Sequence, residues 1–125
     1  MMIKKIIILL NIFFLLYYSA QLLLFTDEFA LKNLGDFNHA IAGLSEILGI
    51  LLLSLSCGLL FILIKNYKNQ LPIFIIIFLF EFLVTLNLWR YIITNSPGET
   101  NIEVILFNAI LFSIASLSLI FVFKK

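Results

Sequence analysis

Three charged residues fall inside long apolar stretches of the chain: Glu46, Glu81 and Arg90. A charge in such a stretch is costly to place in hydrocarbon and faces protein or a water-filled cavity. Glu46 and Arg90 have opposite signs, and a guanidinium can hold a carboxylate through two parallel hydrogen bonds. Their chemistry is therefore either an internal ion pair or the recognition of an anionic ligand by Arg90. Glu81 stands apart. It lies nine residues before Arg90, and on an α-helix that spacing turns the two side chains to opposite faces. A protonated Glu81 has three openings: a hydrogen bond to Ser54 or another buried acceptor, a contact with a second copy, or a proton exchanged with a substrate.

Little else in the sequence can do chemistry. Cys57 is the only cysteine and His39 the only histidine, so no disulfide, thiolate cluster or haem, zinc or iron–sulfur site is expected within one chain. His39 reads as a polar residue at a membrane boundary. No nucleotide-binding loop, catalytic triad or metal-ligand spacing occurs, and we expect no enzyme, no cofactor and no metal. The net charge of +1 gives no basis for binding nucleic acid.

Composition then determines what positions these residues. Of 125 residues, 63% are hydrophobic and 12% charged, against roughly 25% charged in a soluble domain. A soluble domain this small has too little interior to hide so much apolar side chain. Lipid accepts it. A helix crosses the roughly 30 Å hydrocarbon layer in about 20 residues, and four stretches qualify: 6–25, 40–64, 71–94 and 104–123. The third carries two charges, each costing about 3 kcal/mol or less on an insertion scale. Its many Leu, Ile, Phe and Val residues each return roughly 0.3 to 0.6 kcal/mol, so it still inserts. The first span follows Met1–Lys5, a signal-like start. Tyr18 before Ala20 makes a poor cleavage site and no lipobox cysteine is present, so a retained helix is expected.

The connections carry helix punctuation. Thr26 is expected to cap a short helix that has Asp27 and Glu28 in its first turn and ends at Gly35. Phe29, Leu31 and Leu34 would lay it on the membrane surface. Asp36 or Asn38 then starts the second span, and Pro72 suits the first turn of the third. Ser96-Pro97-Gly98 reads as a tight turn, and Thr100 with Glu103 has the spacing of a capping box. Lys4, Lys5, Lys65, Lys68, Lys124 and Lys125 fall on one side of the membrane, with only Lys32 on the other. The positive-inside rule then places both termini and the middle loop in the cytoplasm. The expected fold is all-α: a single integral membrane domain, 1–125, forming an up-down four-helix bundle.

Depth suggests which polar residues meet. Glu46 lies about 9 Å and Arg90 about 11 Å outward of the midpoints of their spans at 1.5 Å per residue. Gln21, Asn87 and Asn108 fall at similar depth, with Tyr17 and Tyr18 near Gln21 and Trp89 and Tyr91 beside Arg90. Ala42, Gly43 and Gly49 would let a neighbouring backbone come close to Glu46. The expectation is one outward layer of Glu46, Arg90, Gln21, Asn108 and Asn87. It serves either as a lock between helices or as a pocket for an anionic head group or small acid.

The run Gly43-Leu44-Ser45-Glu46-Ile47-Leu48-Gly49, and Trp89-Arg90-Tyr91 followed by Ser96-Pro97-Gly98, resemble features of small four-helix bacterial inner-membrane proteins. These are grouped as DoxX-like or as related families of unknown function. The resemblance implies a small protein of the inner (plasma) membrane with no assigned activity, and it carries over no functional residue. Small multidrug transporters also use an intramembrane Glu, but theirs lies in the first helix, and here the first span has none. Two functions follow as expectations. One is a non-enzymatic accessory subunit, or a binder of a lipid-like ligand, partnered by the bilayer and by a second copy or another membrane protein. The other is a small proton-coupled transporter acting as a dimer around Glu81.

Overall fold

The computed structural model describes residues 1–95 and 101–123. The expected Ser96-Pro97-Gly98 turn, Thr100 and the Lys124–Lys125 pair lie outside them. Five helices follow in order: α1 (Met2–Leu24), α2 (Thr26–Leu34), α3 (His39–Lys65), α4 (Leu71–Thr94) and α5 (Ile102–Phe123). No strand occurs among the described residues. All but α2 are long and apolar enough to cross a membrane. Each begins or ends within about three residues of its expected bound, except that α1 starts at Met2.

The helix ends follow the local chemistry closely. Asn38 caps α3, its Oδ1 accepting from the Ile41 amide at 2.9 Å. Pro72 sits in the first turn of α4, where its missing N–H leaves no helical bond unmade. Gly35 ends α2 at φ 73°, a left-handed conformation that glycine adopts without a Cβ penalty. One cap differs from expectation. Thr26 is already inside α2, and its hydroxyl donates back to the Leu22 carbonyl at 2.6 Å, tying α2 to the end of α1. Asn101, one residue beyond Thr100, caps α5 by accepting from the Glu103 amide at 3.1 Å.

Helix pairs are joined unequally. α1 packs along α3 and α5, and α5 along α4, while α3 and α4 barely approach each other despite a short link. The order in space is therefore α3–α1–α5–α4. Lys4 donates to the Val122 carbonyl, Asn11 to Ser118 and Tyr18 to Asn108. Rising numbers in α1 meet falling numbers in α5, so the two run antiparallel. Trp89 Nε1 to Ser113 Oγ at 3.0 Å and the edge contact of Phe78 with Phe123 show the same for α4 and α5.

The α1–α3 seam is the tightest. Ser19 Oγ donates to the Gly49 carbonyl at 3.0 Å, and a Cβ built at Gly49 would lie 2.7 Å from Leu23 Cγ and 3.0 Å from Leu22 Cβ. Among the residues expected to allow close approach, Gly49 does so, whereas nothing lies near Gly43. Ile8, Leu15, Leu59, Ile77 and Leu119 are fully buried between the helices. Many large apolar side chains point outward, such as Leu44, Phe61, Leu83 and Ile114. An apolar surface this extensive belongs in hydrocarbon.

Candidate functional site

Three elements converge at the end of the molecule where α2 lies. Tyr18 in α1 and Asn108 in α5 are both buried, and the Tyr18 hydroxyl donates to Asn108 Oδ1 at 2.6 Å. Asn108 Nδ2 donates in turn to Asn33 Oδ1 at 2.7 Å, and Asn33 Nδ2 to the Phe29 carbonyl at 2.9 Å. Phe14 packs edge-on against both Tyr18 and Phe112, and Phe112 lies tilted against Tyr18, with ring centres 4.8 to 5.1 Å apart. The relay uses both amide oxygens. Each amide nitrogen has two hydrogens, so Asn108 and Asn33 each keep one N–H to offer.

Asn33 and Asn108 both line a cavity of about 380 Å³. α3 supplies one wall through Leu48 and Leu52, and α4 the other through Phe80, Val84, Leu88 and Tyr91. α1 and α5 stand behind it, and α2 closes the polar end with Phe29, Asn33 and Leu34. The cavity exists because α3 and α4 are held by α1 and α5 and not by each other. Its size lies within the range of about 300 to 1,000 Å³ usual for small-molecule sites, and its lining is nearly all apolar with a few convergent polar groups, as such sites require.

The expected five-residue layer is not assembled in one place. Asn108 occupies the centre of the polar end. Gln21 is half-buried and lines a separate cleft of about 310 Å³ between α1 and α2, with Tyr17, Glu28 and Lys32. Arg90 is exposed and donates to Asn87 Oδ1 at 3.1 Å, with the Tyr91 ring centre 5.2 Å away. Glu46 is exposed on α3, and no ion pair joins it to Arg90 among the described residues. Depth brought the two to one level, but their helices turn them outward. The inward stripe of α3 runs through Gly49, Leu52, Ser56 and Leu59, while Glu46 shares the outward face of Ile50, Leu53 and Cys57.

Glu81 has the opposite fate. It is 0% exposed on the inward stripe Phe74, Ile77, Glu81 and Thr85, and neither carboxyl oxygen has a hydrogen-bond partner. Ser54 is not its acceptor: that residue is exposed, and its hydroxyl donates to the Ile50 carbonyl at 2.8 Å. Nor does Glu81 face outward toward a second copy. Among the described residues, Asn11 Oδ1 is the other buried side-chain oxygen without a partner, although its Nδ2 donates to the Ile7 carbonyl and to Ser118. No group of three His, Cys, Asp or Glu among the described residues is placed to hold a metal ion.

Asn33 and Asn11 were missed by sequence reasoning. Asn33 lies on the short helix outside every span, and only the return of α2 over the bundle brings it to Asn108. Asn11 was legible as the one amide in the first half of an otherwise apolar span.

The class these features define is a small all-α chain with four helices able to cross a membrane and an apolar cleft closed by an amide relay. No known protein family matches the chain, and no curated protein or solved structure does either. Of the expected resemblance to DoxX-like proteins, the structure supports four long apolar helices able to cross a membrane.

Proposed function

We propose that this is a non-enzymatic multi-pass protein of the inner membrane that holds a lipid-like molecule in the cleft between α3 and α4. In this reading the helices form an up-down bundle with both termini in the cytoplasm. The positive-inside rule supports that orientation, because Lys4, Lys5, Lys65 and Lys68 share one end of the molecule and Lys32 the other. The observation that carries the function is the cleft itself. An apolar cavity opening toward hydrocarbon takes a hydrocarbon chain, and the spare N–H groups of Asn33 and Asn108 suit a carbonyl-type acceptor such as an acyl ester. The ligand site therefore moves from the Glu46–Arg90 pair to the Asn33–Asn108 end of the cleft.

The test uses the protein in lipid nanodiscs with a palmitoyl ester carrying a photoactivatable group in its chain. Crosslinks are expected on Leu52, Val84 and Leu88 in excess of those on the outward-facing Ile93. Val84→Trp, which fills the cleft, should lower the cleft crosslinks about tenfold and leave Ile93 unchanged. Equal labelling of the two faces, insensitive to Val84→Trp, would remove the proposal.

A second reading, a small proton-coupled transporter, is favoured by the full burial of Glu81 with both oxygens unpartnered. Such groups mark ion and proton pathways in membrane proteins. In this form the single chain encloses the carboxyl, so the dimer need not form around it. Glu81→Gln in proteoliposomes is expected to fold normally and to abolish proton flux detected by an internal pH dye. Flux equal to that of the parent protein, or no flux in the parent, would reject this reading.

A further inference from the structure

Glu46 and Arg90 lie outside the cleft, and the ligand reading gives them no role. Both side chains face outward, and no ion pair within the described chain satisfies either. Their depths are close. Glu46 is seven residues from the start of α3 at His39 and Arg90 four residues from the end of α4 at Thr94, so they lie about 10 and 6 Å from the same end at 1.5 Å per residue. In a membrane such outward charges meet hydrocarbon, which is costly unless something covers them.

The cover must bring a cation to Glu46 and an anion to Arg90. Another copy of this chain offers both at the matching depth. Arg90 can serve, because among the described residues one of its five N–H groups is taken, by Asn87 Oδ1. The face around Glu46 can admit a helix. A Cβ at Gly43 would meet nothing within 4 Å, so an incoming backbone has room beside the carboxylate. Below it, Ile50, Leu53 and Cys57 continue the same exposed face, Cys57 lying three turns along.

We propose that a second copy of this chain docks its α4 against α3, joining Glu46 of one copy to Arg90 of the partner subunit. The ion pair expected within the chain is formed between chains. Because every copy carries both charges, each can give one and receive the other.

The experiment reverses each charge separately: E46R and R90E, each labelled with a fluorophore and counted by single-molecule photobleaching in lipid vesicles. The parent is expected to associate. Each variant alone sets like charges against each other and should associate at least tenfold more weakly. An equimolar mixture should regain the parental level, since E46R presents only arginines and R90E only glutamates at these positions. Parental association by either variant alone, or a mixture that stays monomeric while both variants unfold at the parental temperature, would overturn the proposal. If a charge reversal fails to fold, Ile50→Cys and Leu83→Cys in a Cys57→Ser background replace it; both are exposed, lie on the faces of Glu46 and Arg90, and stand eleven residues from the matching ends of α3 and α4. Oxidation of the two mixed in native membranes should give covalent dimers, and their absence would overturn the proposal equally.

Discussion

Replacing Gly49 by leucine is expected to destabilise the folded chain by about 3 kcal/mol, the upper part of the range for overpacking a tight contact. At this position a Cβ alone would lie 2.7 Å from Leu23 Cγ and 3.0 Å from Leu22 Cβ. Leu23 can turn aside, but Leu22 Cβ is fixed to its backbone, so relief requires α1 and α3 to separate. Separation also lengthens the bond from Ser19 Oγ to the Gly49 carbonyl, now 3.0 Å. Gly49→Ala should show a smaller loss of the same sign. Gly58 is the control, because a Cβ there meets nothing within 4 Å. Gly58→Ala should leave stability unchanged or raise it by about 0.5 to 1 kcal/mol, the usual helical preference for alanine. Equilibrium unfolding in mixed micelles checks all three. A neutral Gly49→Leu would mean that the seam is not the close approach described.

Replacing Glu81 by methionine is expected to act in the opposite direction, stabilising the fold by about 2 kcal/mol. A buried polar group without a hydrogen-bond partner costs about 1 to 3 kcal/mol by mutational measures. Both oxygens of Glu81 are in that position. Methionine keeps a similar length, adapts its shape and removes the polar atoms. Glu81→Gln retains a buried polar group and should leave stability near that of the parent. Thermal unfolding in detergent distinguishes these cases. A destabilised Glu81→Met would show that the carboxyl has a partner that holds the bundle together. If Glu81→Met is more stable and the proton flux of the second reading is lost as well, the residue is retained for function at a cost in stability.

Much of the fold was legible because it depends on properties local to the chain. Helix lengths follow from the run of apolar residues between polar ones, and ends from residues that cap or stop a helix without help, as at Asn38, Gly35 and Pro72. Thr26 shows where that logic gives way. Its composition suits a cap, but α1 ends so close to α2 that its hydroxyl reaches the Leu22 carbonyl instead. The candidate site was legible only in part. Asn108 and Tyr18 stood at matching depths on antiparallel helices and do meet. Gln21, Asn87, Arg90 and Glu46 stood at similar depths and do not join them. Depth along a helix is a sum of rises and can be counted from sequence, whereas the direction a side chain faces depends on how the whole helix is rotated against its neighbours.

The α4 helix separates the two kinds of information most clearly. By itself the sequence determined that Glu81 and Arg90 occupy opposite faces, since nine residues at about 100° each amount to two and a half turns. It also determined that four helices long and apolar enough to cross a membrane are present, since hydrocarbon thickness sets that length. Only the tertiary structure decided that Glu81 turns inward and Arg90 outward, and that α3 and α4 stay apart while α2 folds over the gap. Those outcomes rest on contacts between residues distant in the chain: Gly49 against Leu22, Trp89 with Ser113, and Asn33 with Asn108. Packing of this kind selects one rotation of each helix by fit and hydrogen bonding across the interface, and no single helix carries that information alone.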